Sequence, residues 1–231
     1  MGKIQTIEKL FYYIVCYSYL LLPLSVIIFY LLNKKITTTH NIIFLYGFIF
    51  FFFLFFYFDI PKDFRKLFQS FYTFMEYIFF ALLLWYDIKR KFFRTAIITL
   101  TSAFLVFLII YYFKSTLVRL DSVPIGIETF LIFLFIFFFF IEFSNNETPV
   151  NFYYHNGFWI SVGILIYLGG SFFFYILINH LSNEQVSAFG NLTYLAEIIK
   201  NALFVIATIV LKKKLPSNNK KTDTIPFLDT I

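Results

Sequence analysis

Apolar residues in this chain fall in long unbroken runs separated by short charged segments. That is the pattern of helices that cross a bilayer, not of helices or strands with one wet face. Runs bounded by charge lie at residues 11–32, 42–58, 70–88, 95–113, 124–143, 158–179 and 190–211, the second being the shortest. The expected fold is therefore all-α: a polytopic integral membrane protein, a seven-transmembrane-helix bundle over 1–211, followed by a basic tail at 212–231 expected to be disordered. Asp121 and Ser122 ahead of Pro124 supply a capping side chain and a first-turn proline, which predicts where the fifth helix begins. Tyr153, Tyr154 and Trp159 flank the sixth, where amphipathic rings favour the headgroup region.

Composition agrees with this pattern. Of 231 residues 60% are hydrophobic and 14% charged, against about 45–50% and 25% in soluble domains. About 139 apolar positions, at roughly 20 per crossing, fill seven spans and leave little chain over. An appended soluble catalytic domain, a disulfide-rich secreted fold and a nucleic-acid-binding module are excluded. The first apolar run is too long for a cleavable signal peptide and no small-residue cleavage site follows it, so it is expected to remain as a helix. Phenylalanine occurs 38 times, and runs such as Phe50 to Phe53 and Phe137 to Phe140 fit AT-rich codon usage placing Phe where Leu would otherwise face lipid. Cys16 is the one cysteine, so no intrachain disulfide forms. The sequons at Asn146 and Asn191, and the myristoylation-like start at Gly2, are short patterns that arise by chance.

The net charge of +6 lies in the loops and the tail, where it acts as a topology signal. With the N-terminus outside, the inside segments carry eleven basic residues: Lys34, Lys35, Lys89, Arg90, Lys91, Arg94, Lys212, Lys213, Lys214, Lys220 and Lys221. The outside segments carry seven: Lys3, Lys9, Lys62, Arg65, Lys66, Lys114 and Arg119. The expected placement is a bacterial inner membrane, multi-pass, N-terminus outside and C-terminus cytoplasmic. No repeat relates the two halves, which weighs against a transporter built from symmetric halves.

Charged groups within spans are costly, about 2.5–3.5 kcal/mol at the centre of a helix, and therefore informative. Glu76 stands in the third span, Glu128 in the fifth, and Glu197 with Lys200 in the seventh. Counted from Ser70, Pro124 and Gly190, they lie roughly 6 to 15 Å below the starts of three helices running the same way, hence in one half of the membrane. Asp59, Asn179 and His180 lie toward the same side. Glu76, Glu128, Glu197, Lys200 and Asn201 are the candidate ligand-binding residues of a polar pocket, with Lys200 as counter-charge or anchor. The alternative is private satisfaction: Glu197 and Lys200 are spaced i,i+3 and could pair on their own helix, and Glu128 near a helix start could reach the interface. Only Glu76 has no local partner. Thr193, Glu197, Asn201 and Thr208 form a stripe on the seventh helix that must face protein or a cavity. Thr95, Thr99 and Ser102 on the fourth, and Gly163, Gly170 and Ser171 on the sixth, read as helix-packing faces.

The chain carries no other recognisable chemical motif. His40, His155 and His180 have no companions at metal-ligand spacing. No phosphate loop, nucleophile elbow or intramembrane aspartate pair exists. A lysine in the seventh helix suggests retinal attachment, but the third span has no arginine, and Trp85 and Trp159 lie toward the opposite face from Lys200. No metal, cofactor or catalytic residue is expected; membrane lipid surrounds the chain and no nucleic acid is bound.

Asp121-Ser122-Val123-Pro124-Ile125 with Glu128, Phe158-Trp159-Ile160 leading to Gly163-Ile164-Leu165-Ile166-Tyr167 and Gly170, and Lys200-Asn201 before Leu203-Phe204 carry a resemblance. Over this third of the chain it resembles uncharacterised seven-span membrane proteins of Bacteroidota, themselves similar to the seven-helix input modules of membrane sensor kinases. An output domain would follow the last helix in such kinases; here only 212–231 follows. The resemblance implies a sensor, receptor-like or accessory subunit acting through a separate membrane or cytoplasmic partner at the Arg94 side or the tail. The competing expectation is a proton-coupled or small-molecule transporter, or a small membrane enzyme, using the intramembrane carboxylates.

Overall fold

The computed structural model describes residues 2–33, 35–61, 64–114, 122–145, 152–177 and 181–210. Lys34, Lys62, Arg119, Asp121, Asn146, Asn179, His180 and the 212–231 tail lie outside the described residues. The described chain forms seven helices and no strand: α1 Gly2–Asn33, α2 Thr38–Phe55, α3 Arg65–Asp87, α4 Lys91–Lys114, α5 Ser122–Ser144, α6 Asn156–Leu177 and α7 Asn183–Ile209. Five of them, α1, α2, α4, α5 and α7, are long and apolar enough to cross a membrane. The fold is thus an all-α membrane bundle. α3 is the helix that carries Glu76, and α6 carries Tyr167 and Ser171. Both supply polar side chains to the interior described below, where protein rather than lipid meets them.

Two helices start ahead of their apolar runs at capping side chains. α7 starts at Asn183, two turns ahead of Gly190, because Ser182 and Gln185 form a capping box: Ser182 Oγ accepts from Gln185 N at 3.4 Å, and Ser182 N donates to Gln185 Oε1 at 3.0 Å. At α2 the Thr37 N–H donates to His40 Nδ1 at 3.3 Å, leaving Nε2 to donate to the Thr208 carbonyl at 3.1 Å. His40 therefore ties the start of α2 to the end of α7.

Around the bundle α1 packs on α2 and α7, α2 on α3, α3 on α5 and α6, α5 on α6, and α6 on α7; α4 lies outside against α3 and α5. Its inner side presents Ile97, Phe104 and Leu108, with Thr101 Oγ1 3.1 Å from the Tyr77 hydroxyl. Thr95, Thr99 and Ser102 consequently lie on the exposed side of α4, contrary to the packing face expected of them. On α6 the small residues do meet a helix: a Cβ at Gly163 would stand 3.3 Å from the Phe204 ring, and one at Gly170 3.0 Å from Ala196 Cβ. At one end, Glu142 near the close of α5 accepts from the backbone N–H groups of Lys89 at 2.7 Å and Arg90 at 3.0 Å, and Arg94 stacks 3.7 Å above the Trp85 ring. That carboxylate pins the α3–α4 turn to α5.

α1 and α2 approach each other closely at Gly47. A Cβ there would lie 2.6 Å from Leu22 Cβ, 2.7 Å from Pro23 Cδ and 2.8 Å from the Tyr19 carbonyl oxygen. Gly126, by contrast, has nothing within 4 Å of a Cβ. Gly47→Ala should force α1 and α2 apart at a cost of about 1–3 kcal/mol, whereas Gly126→Ala should be neutral or stabilise by up to about 1 kcal/mol. Thermal unfolding of the two variants in detergent checks this; equal melting temperatures would show that α1 and α2 are not locked at Gly47.

Candidate functional site

Lys200 is fully buried, and an ammonium there must find three acceptors. It finds Tyr46 Oη at 2.7 Å, Tyr19 Oη at 3.1 Å and Glu76 Oε1 at 3.2 Å, from α2, α1 and α3. Four rings surround it, with centroids 4.0 Å away for Tyr167, 5.3 Å for Tyr19 and Tyr46, and 5.5 Å for Phe80. Their electron-rich faces supply the remaining solvation of the cation.

Four tyrosine hydroxyls in turn donate to the two carboxylates. Tyr46 donates to Glu76 Oε1 at 3.2 Å and Tyr167 to Glu76 Oε2 at 2.9 Å. Tyr72 donates to Glu197 Oε1 at 3.0 Å, and Tyr19 makes a short hydrogen bond to the same oxygen. Two carboxylates thus share one ammonium and four hydroxyls. Glu197 stands 4.0 Å from the Lys200 nitrogen, farther than Glu76 at 3.2 Å. The i,i+3 pair is therefore secondary, and the principal ion pair joins α7 to α3. Glu76, which no local partner satisfies, is satisfied by tertiary structure.

The midpoints of α2, α3 and α6 fall at Tyr46, Glu76 and Tyr167, and that of α7 within a residue of Glu197. The cluster consequently lies at mid-depth of the bundle, deeper than the apolar runs imply, because α7 begins before Gly190. Asn201 and Thr208 of the α7 stripe face α1: Asn201 Nδ2 donates to Ser18 Oγ at 2.8 Å and Thr208 Oγ1 to Ser25 Oγ at 3.0 Å.

A cavity of about 210 Å³ opens beside the cluster. It is bounded by Tyr12 of α1, Leu54 of α2, Tyr72 and Glu76 of α3, Glu128 and Thr129 of α5, Tyr167 and Ser171 of α6, and Tyr194 and Glu197 of α7. These residues lie at or before the middle of α1, α3, α5 and α7 and at or beyond the middle of α2 and α6, so the cavity occupies one half of the bundle. Glu128 is 4% exposed, and among the described residues no hydrogen-bond donor reaches its carboxyl group. It does not reach the interface, as a helix-start position allows; it faces the cavity, within electrostatic range of Glu76.

Of the five sequence candidates the structure therefore brings Glu76, Glu128 and Glu197 to the cavity wall. Lys200 sits behind that wall, holding Glu76 and Glu197. Asn201 is not at the cavity; it packs α7 on α1. Asp59 is exposed in a short turn after α2. Sequence reasoning missed Tyr19, Tyr46, Tyr72 and Tyr167. The available signal was a hydroxyl at mid-span in a chain that otherwise fills such positions with Phe. Among the described residues no group of three or more His, Cys, Asp or Glu side chains converges to hold a metal ion.

No protein-family model, curated protein or solved structure matches the chain.

Lys200→Met should leave two buried carboxylates without a cation and cost about 3–5 kcal/mol. Adding Glu76→Gln should restore part of that loss, since it removes one uncompensated charge. Melting temperatures and folded yields of the two single variants and the double variant measure the coupling; strictly additive effects would disprove the α3–α7 ion pair.

Proposed function

We propose that this chain is a membrane sensor or receptor-like accessory subunit in which a small molecule occupies the cavity and biases helix packing. The observation that carries this reading is the shared wall: Glu76, Glu197 and Tyr167 line the cavity and also hold Lys200. An occupant that draws on either carboxylate loosens bonds reaching α1, α2, α3, α6 and α7 together. Such a molecule shifts the bundle only to the extent that it binds the two packings differently.

The resemblance to seven-span proteins similar to sensor-kinase input modules supports the same reading, with the output made by a separate partner. The excess of basic residues at the α3–α4 turn and the tail supports placing that end in the cytoplasm of a bacterial cell, with the cavity opening outward. The α3–α4 turn, held by Glu142 and Trp85, is then the surface a partner would read. Transport remains the rival function, and the carboxyl group of Glu128, facing the cavity without a donor, is the feature that favours it.

Mild-detergent purification from the native membrane followed by mass spectrometry should find one small molecule per chain, absent from Glu128→Gln, which still folds. Amide exchange at the α3–α4 turn should change when that molecule is removed. Retention by Glu128→Gln, or exchange that does not change, would reject the sensor mechanism. Accumulation of the same molecule inside sealed vesicles, driven by a pH gradient, would replace it with transport.

A further inference from the structure

We infer that the cavity takes a compact organic ammonium ion, with Glu128 as its counter-charge; this rests on the ligand-site reading above and specifies its chemistry. Three carboxylates, Glu76, Glu128 and Glu197, border the cavity. Lys200 and the tyrosine hydroxyls occupy Glu76 and Glu197 from behind. Glu128 alone of the three receives no donor from the described residues, though it is 96% buried (4% exposed) and faces the cavity. A buried carboxylate needs a partner, and the empty side of Glu128 is the cavity itself.

The walls decide which kind of cation. A divalent metal ion is held by several converging ligands, and among the described residues no group of three His, Cys, Asp or Glu side chains converges to supply them. What the cavity offers instead is one open carboxylate among aromatic rings, Tyr12, Tyr72, Tyr167 and Tyr194 among them. Aromatic faces around a carboxylate suit alkylammonium groups, whose charge is spread over C–H and N–H surface. The chain already solvates one such group this way: the Lys200 ammonium sits 4.0 Å from the Tyr167 centroid and 3.2 Å from Glu76. Tyr167 and Glu76 belong to both sites, so the cavity repeats the lysine cage with Glu128 in the place of Glu76. Among the described lining residues an anionic ligand would meet three carboxylates and no cation. The volume of about 210 Å³ is below the common range for drug-sized ligands, roughly 300–1,000 Å³, and limits the guest to a few heavy atoms.

The test is calorimetric titration of the full chain in lipid nanodiscs with n-butylammonium, choline, its neutral carbon isostere 3,3-dimethylbutan-1-ol, and the anion 3,3-dimethylbutanoate. At least one ammonium should bind about tenfold or more tightly than the neutral isostere, and Glu128→Gln should weaken that binding by about tenfold or more. The comparison of cation with isostere is made on the unaltered chain, so it stands even if Glu128→Gln fails to fold. Equal or tighter binding of the alcohol or the anion, indifferent to Glu128, would overturn the ammonium assignment while leaving a ligand cavity. No binding by any of the four would overturn the ligand-site reading along with it.

Discussion

An ammonium ion at the middle of a helical membrane bundle cannot be left to water or lipid, and the placement of Lys200 therefore constrains most of what surrounds it. Its three donors need acceptors from three directions, and α1, α2 and α3 each send one. The acceptors are not chosen independently. Each hydroxyl that accepts from the lysine has one proton to give, and that proton goes to a carboxylate, so the cluster closes on itself with every strong donor used. Removing any member leaves a charge or a dipole exposed to a low-dielectric interior, which is why such a network fixes helix register more than it adds net stability.

The same arrangement places the cavity and the three carboxylates that border it on one side of the lysine. Below mid-depth, toward the α3–α4 turn, ring stacks such as Phe93 on Phe138 stand beside neutral hydrogen bonds that join α7 to α1 and α2, and Glu142 gathers the turn's backbone amides. Above it, the carboxylates of Glu76 and Glu197 show one face to Lys200 and another to the cavity. A wall with two faces couples what enters the cavity to how five helices are held, without any long chain of intermediates. That coupling depends on the cluster being nearly saturated, because a loose network would absorb a perturbation locally.

Aromatic residues have two roles that composition alone conflates. Many Phe side chains face outward, as Phe92, Phe130 and Phe137 do, and behave as lipid-facing filler. Tyr19, Tyr46 and Tyr77 are fully buried, and their hydroxyls have partners at mid-depth. A phenol can place a ring against apolar neighbours and one hydrogen bond at a chosen point. Replacing Phe by Tyr therefore costs little in packing and supplies the cluster with hydrogen-bonding groups without further charge.

The sequence by itself determined the seven helices, their membrane character and the four charged residues that could not face lipid, because hydrophobic burial and the cost of intramembrane charge act on each helix separately. It also determined that the face of α7 carrying Thr193, Glu197, Asn201 and Thr208 must turn inward, since a four-residue spacing is a local property. Helix ends were less visible: the capping box at Ser182 and Gln185 extended α7 beyond its apolar run and moved Lys200 to mid-depth. Tertiary structure alone decided the partners. Local spacing favours Glu197 for Lys200, but an i,i+3 neighbour reaches only along its own helix, and the packing of α3 against α6, beside α7, brings Glu76 closer. It also placed Asn201 against α1 rather than at the cavity, turned the hydroxyl face of α4 outward, and left Glu128 facing open space. Each of these outcomes depends on which helix stands beside which, and that is set by side chains distant in the chain meeting in three dimensions.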